Sequence, residues 1–226
     1  MSESILVIDD ASDIRALLSV ALKDAGYRVV EADSGPSGIE AYHAHQPDLI
    51  LLDIGLGSMD GLEVCRQLRA VSSAPIIFLT SRVDEVDQLV GFAAGGDDYV
   101  TKPFSAKVVV ARVNSLLRRQ QRQDKDERTR YESGPISVDL ESRTVRVNDE
   151  PIHLTRTEFD LLTTMIENPD RVCSREMLLE RVWGEWFGDT HVVEVHMSRL
   201  RNKITAAGGP KVGAVVRGIG WRLGVE

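Results

Sequence analysis

In the first half of the chain, short apolar runs take turns with amphipathic stretches, and that alternation leaves few folds open. The runs are ILVID at residues 5–9, YRVVEA at 27–32, DLILLD at 48–53, PIIFLT at 75–80 and DYVTK at 98–102. Between them lie IRALLSVALKDAG, SGIEAYHAH, DGLEVCRQLRA, VDEVDQLVGFAAG and SAKVVVARVNSLLRR, each with apolar residues at helical spacing. Five strands alternating with five helices predict an α/β domain, a doubly wound sheet of five parallel strands. ILV, LILL and IIFL are apolar on both strand faces, as a sheet covered on both sides requires. In such sheets, ligands gather outside the carboxyl ends of the strands.

The grammar changes after residue 120. QQRQDKDERTRYESG has almost no apolar residues and reads as a linker. Beyond it, PISVDLESRTVRVNDEPIHL alternates around turn signals and predicts small antiparallel strands. TRTEFDLLTTMIENP, SREMLLERVWG and THVVEVHMSRLRNKI predict three helices, the first opened by a Thr155-x-x-Glu158 capping box. GAVVRGIGWRLG closes the chain as a hairpin around glycine. The expected organisation is a first domain over residues 1–120, a linker over 121–133 and an α+β domain over 134–226, as a length of 226 residues suits.

Net charge is −8, which at first argues against nucleic acid, but its distribution argues otherwise. Residues 190–224 hold six basic side chains (Arg199, Arg201, Lys203, Lys211, Arg217, Arg222) against one acid, Glu194. Cys65 and Cys173 lie far apart, without metal-type spacing, and read as reduced structural thiols. Neither a basic leader nor an apolar run of membrane-spanning length appears, so a cytoplasmic protein without membrane contact is expected.

The carboxyl ends of the expected strands carry the chemistry. Strand one ends in Asp9 and Asp10, strand three in Asp53, strand four in Thr80, and strand five runs into Lys102 and Pro103. Taken singly, each has an ordinary reading: Asp9 or Asp10 can cap a helix, Thr80 likewise, and Lys102 can sit in water. Together they are an acidic edge that cannot ionise cheaply without a cation. Oxygen donors at this density suit Mg²⁺ (or Mn²⁺), and a carboxylate beside such an ion is a nucleophile toward phosphorus. Glycines at 55 and 57 leave backbone open beside Asp53.

These residues carry a resemblance. VIDDASDIR, DIGLGSMDG, FLTSR and GGDDYVTKPF resemble the signatures of the receiver domain of two-component response regulators, a flavodoxin-like fold. The resemblance implies that Asp53 accepts a phosphoryl group from a histidine kinase. It implies that Asp10, Asp53 and the Gly55 carbonyl hold Mg²⁺ directly and Asp9 through water. Thr80 and Lys102 would grip phosphoryl oxygens, Tyr99 would be an aromatic switch that follows Thr80, and the Lys102–Pro103 peptide would be cis. Gly57 stands where the family usually has Pro, and Gly96 where it usually has Ala. The first departure predicts a looser acceptor loop.

TRTEFDLL, VVEVHMSRLRNKI and VVRGIGWRL are similar to the winged helix-turn-helix effector domain of the OmpR/PhoB subfamily. On the last helix, Val193, Met197, Leu200 and Ile204 form one apolar stripe, and Val192, His196, Arg199 and Lys203 an adjacent row suited to a major groove. Arg217 at the hairpin tip suits a minor groove. The resemblance puts His191, His196, Arg199, Arg201, Lys203 and Arg217 at positions that meet double-stranded DNA. It gives residues 182–190 to RNA polymerase. Trp221 replaces the usual Tyr.

Receivers of this subfamily pair as homodimers through charged contacts of their fourth and fifth helices and fifth strand. Asp98 with Arg112 preserves one such contact, whereas Gln88 with Val108 and Ala93 with Asn114 lose two, so a weak or unusual receiver dimer is expected. The reading is a phosphorylation-switched transcription factor, not an enzyme acting on other substrates. Two alternatives stand beside it: a DNA-binding regulator independent of phosphorylation, and a Mg²⁺-dependent aspartyl-phosphate phosphotransferase.

Overall fold

The computed structural model describes residues 2–57, 59–81, 94–117, 129–184 and 190–224. The chain divides into two compact units, Met1–Leu117 and Arg118–Glu226. Elements are numbered in chain order over the described residues.

The first unit runs β1 (Ser4–Ile8), α1 (Ser12–Asp24), β2 (Arg28–Ala32), α2 (Gly35–His45), β3 (Leu49–Asp53), α3 (Gly61–Arg69), β4 (Ile76–Thr80), β5 (Asp98–Thr101) and α4 (Ala106–Leu117). The stretch read as a helix between β4 and β5, with Gln88 and Ala93, lies outside the described residues. All strands are parallel, in the order β2-β1-β3-β4-β5. Every residue of β1, β3 and β4 is buried, which their unbroken apolar runs required. Leu6, Ile8, Ile50, Leu52, Ile76 and Phe78 build one side of that core with Val64 and Leu68 of α3. Gly38 lets α2 approach β1 closely, since a Cβ there would stand 2.5 Å from Ile8 Cδ1.

The register sets the site. Ile8 pairs with Leu52, so Asp9 and Asp53 leave the sheet at the same level. Asp53 pairs with Leu79, and Thr80 with Thr101, which brings the next residue, Lys102, to the same edge. The strand order reverses direction between β1 and β3, the position at which open α/β sheets form a ligand crevice.

The second unit begins with an antiparallel sheet in the order β6-β7-β8-β9: β6 (Arg130–Ser133), β7 (Ile136–Asp139), β8 (Thr144–Val147) and β9 (Glu150–Ile152). Asn148 and Asp149, at φ of 53° and 66°, make the turn between β8 and β9. Helix α5 (Arg156–Ile166) follows, then β10 (Cys173–Ser174), α6 (Arg175–Trp183), α7 (Val192–Ala206), β11 (Ala214–Val216) and β12 (Gly220–Arg222). The terminal hairpin also recruits β10, giving a three-stranded sheet β10-β12-β11. The expected capping box on α5 is formed: Thr155 Oγ1 accepts from Glu158 N, and Glu158 Oε2 from Thr155 N.

One boundary needs correction. The linker expected over 121–133 contains β6, whose Tyr131 is 9% exposed and pairs with Val138. RYES offers a single apolar residue, too weak an alternation to reveal a strand that is stabilised by its neighbour.

Candidate functional site

Asp9 is fully buried just past β1. Its Oδ1 accepts from Ala11 N at 2.9 Å and its Oδ2 from Lys102 Nζ at 2.8 Å. Neither Asp9 nor Asp10 caps α1, whose N-cap is Ala11 without a side-chain bond. Arg15 fixes the backbone of the acidic pair by donating to the carbonyls of Asp9 and Asp10 at 2.7 and 3.0 Å. Its role escaped the sequence reading because it lies one turn into an ordinary amphipathic helix.

Asp53, at the end of β3, is 6% exposed. Its Oδ1 accepts from Gly55 N at 3.2 Å, and its Oδ2 stands 3.0 Å from Lys102 Nζ. One ammonium therefore bridges two carboxylates. Burial raises the Asp9 carboxyl above its ordinary range against the hydrogen bonds from Lys102 and Ala11. Burial alone would lower the Lys102 ammonium, but Asp9 and Asp53 outweigh it and raise it. Oxygens of Asp9, Asp10 and Asp53 all lie within 4.8 Å of one another. Asp10 is the exposed member.

Thr80 is buried at the end of β4, and its carbonyl accepts from Lys102 N at 2.6 Å. Tyr99 is half-buried against the core. The Lys102–Pro103 bond is cis. Gly55 and Gly57 are exposed, and a Cβ at Gly57 would come only to ordinary contact, 3.7 Å, with Asp10 Oδ2. A constraint the sequence did not reveal is Gly61: a Cβ there would lie 2.1 Å from the Asp53 carbonyl oxygen, so α3 starts directly against the Asp53 backbone.

Asp98 and Arg112 do not form a free charged surface. Asp98 is 2% exposed, and Arg112 Nη1 reaches its two oxygens at 3.2 and 3.1 Å within the same chain. A carboxylate buried on β5 needs its cation at hand, and here Arg112 of the same chain supplies it. Asn114 accepts from Tyr27 Oη at 2.5 Å.

Two residues of the DNA-directed row need correction. Val192 and His196 are fully buried along with Val193, Met197, Leu200 and Ile204, and the His196 ring lies 5.5 Å from that of Trp183. Periodicity located the stripe but not its width, because α6 covers a second row. Arg199 and Lys203 turn to Glu158 on α5, at 3.4 and 2.6 Å. Arg201 donates to the carbonyls of Val212 and Gly213 at 3.0 and 2.6 Å, tying α7 to the root of the hairpin. His191 and Arg217 are exposed, the latter in the β11–β12 turn. Of the loop over 182–190, Val182 and Trp183 are buried, and 185–189 lie outside the described residues.

An acidic cluster at the switch point of a parallel sheet, followed by a winged helix-turn-helix unit, defines a class of switched DNA-binding proteins. Two family models match accordingly: response regulator receiver domain over residues 5–114, and transcriptional regulatory protein, C terminal, over 149–223. The chain belongs to the DNA-binding response regulators of two-component systems, of the OmpR/PhoB type. It is 41% identical over 225 residues to the sensory transduction protein RegX3 of Mycolicibacterium smegmatis, spanning 97% of this chain and 98% of that one. It is 39% identical over 226 residues to the DNA-binding response regulator MtrA of Mycobacterium bovis, spanning 99% and 98%. Among solved structures, a mutant of RitR aligns over all of both chains with a TM-score of 0.81 and 28% identity. DrrB of Thermotoga maritima, described as an OmpR/PhoB homologue, aligns over 99% of each with a TM-score of 0.52 and 31% identity. Among the described residues, no helix is long and apolar enough to cross a membrane.

Proposed function

We propose that Asp53 is the phosphoacceptor, and that its phosphorylation by a histidine kinase governs how the C-terminal domain engages double-stranded DNA. The observation that carries this reading is the meeting of Asp9, Asp10 and Asp53 within 4.8 Å, with Lys102 bridging two of them. A single ammonium leaves excess negative charge among donors that are all oxygen, which fits Mg²⁺ or Mn²⁺. Asp10, Asp53 and the Gly55 carbonyl would hold the ion directly, and Asp9 through water. When bound, it supplies positive charge against the oxygens of the transferring group.

The chain's own residues do the rest. An Asp53 oxygen forms the bond to phosphorus as the P–N bond of the kinase's phosphohistidine breaks and the leaving imidazole takes up a proton. Lys102 turns from bridging carboxylates to holding a phosphoryl oxygen, and Thr80 holds another. Thr80 draws Tyr99 inward, which biases the receiver toward its active state. His191 and Arg217 meet DNA, residues 182–190 meet RNA polymerase, and active receivers pair weakly, since Asp98 and Arg112 are engaged within one chain.

Incubation with a small phosphodonor and Mg²⁺ is expected to add roughly 80 Da, one phosphoryl group, to the intact mass. No shift, or a shift that persists in Asp53→Asn, would overturn the assignment.

A further inference from the structure

We infer that Glu158 is a positioning residue for DNA recognition: it holds Arg199 and Lys203 of α7 off the phosphate backbone and so sets how sharply the domain separates its own site from other DNA. The inference builds on the family's DNA-binding role and concerns a residue of α5, outside the helix that reads.

Arg199 and Lys203 stand one turn apart, and both end on one carboxylate. Lys203 Nζ lies 2.6 Å from Glu158 Oε2, and Arg199 Nε 3.4 Å from Oε1. The Glu158 side chain is fully buried, whereas those of Arg199 and Lys203 keep 17% and 36% of their exposure. Arg199 also lies 3.5 Å from His196 Nδ1, which joins the clamp to the buried ring packed on Trp183. Withdrawing either cation toward a phosphate would strip charge from a desolvated carboxylate, the arrangement that proteins tolerate least. The clamp therefore persists while α7 is near DNA.

Capping does not by itself account for Glu158. The cap uses Oε2 toward Thr155 N at 2.8 Å, and an uncharged amide could accept that bond equally well. What needs the charge is the pair of cations. The other charged groups of the helix are engaged too, Arg201 at the wing root and Glu194 with Arg175. The side chains left outward are uncharged: Val195, Ser198, Asn202 and Thr205, at spacings of three, four and three residues along one stripe. Such a face reads base edges and thymine methyls, while charge attracted to any phosphate is kept small on the helix itself.

Binding selection with the full-length wild-type protein supplies a duplex, and its scrambled version supplies the competitor. Affinity for both is then measured from low to moderate salt. Glu158→Gln retains the cap but frees the cations. It is expected to bind the scrambled duplex several-fold more tightly, to steepen the log K against log salt slope by about one to two, and to lower the ratio of selected to scrambled affinity at least five-fold. Lys203→Gln in the wild-type background is expected to leave that slope unchanged. Unchanged slope and ratio in a folded Glu158→Gln protein would overturn the proposal, and so would a slope shallower by about one in Lys203→Gln. The second variant decides alone if the first does not fold.

Discussion

Burial pushes the Asp98 carboxyl up to about 6, against the pull of Arg112 and the Tyr99 N–H. In the unfolded chain the same group titrates near 3.8. Between these values the folded protein binds the extra proton, so this residue's contribution to stability falls as pH rises through the window and is constant above it. Wild type and Asp98→Asn should therefore differ in stability by an amount that changes by on the order of 2–3 kcal/mol between pH 4 and pH 7, with wild type losing ground as pH rises. Denaturant unfolding of both proteins across that range checks it, and parallel pH profiles would refute it. Arg69 poses the opposite case. It donates to Gly95 O at 2.7 Å and to the fully buried Asp97, whose Oδ2 also accepts from Ile76 N at 2.9 Å. Arg69→Met removes this buried ion pair and should cost about 3–5 kcal/mol by urea titration. Single residues were legible where chemistry and strand ends coincide, as for Asp9, Asp10, Asp53, Thr80 and Lys102. Arg15, Gly61 and Arg69 were not, because their roles lie in contacts with backbone carbonyls that no residue pattern announces.

Elements were legible in proportion to their periodicity. Of the five parallel strands of the first unit, β1, β3 and β4 follow from runs apolar on both faces, and β2 and β5 from their place in the alternation. The capping box opened α5 where Thr155 and Glu158 said it would. Thr155→Ala should cost about 1 kcal/mol, read by thermal melting of the second unit, because one N-terminal N–H loses its acceptor. Strands β6 and β10 were hidden, since each is short and is stabilised by a neighbour rather than by its own pattern. Tyr131 is the clearest instance: Tyr131→Ala should destabilise the second unit by about 3 kcal/mol and speed amide exchange along Ile136–Asp139. The inward row of α7 was hidden for another reason. A histidine, an arginine and a lysine look outward in sequence, and only packing on α6 and α5 turns them in.

At the scale of the whole molecule, the net charge of −8 conceals a basic C-terminal segment, part of which is neutralised internally. The receiver is similarly self-contained, with Asp98, Arg112 and Asn114 engaged within their own unit. A phosphorylated receiver should therefore dimerise no more tightly than micromolar in sedimentation, and a nanomolar dimer would refute this. The bonds from Arg201 to Val212 and Gly213 carry a consequence for the operator. Helix and wing are braced into one gauge, so in the proposed complex with DNA their two footholds would keep a fixed span. A base pair inserted between those footholds, a step of about 3.4 Å, leaves the gauge able to match one groove and not both. Such a protein would measure spacing as well as sequence.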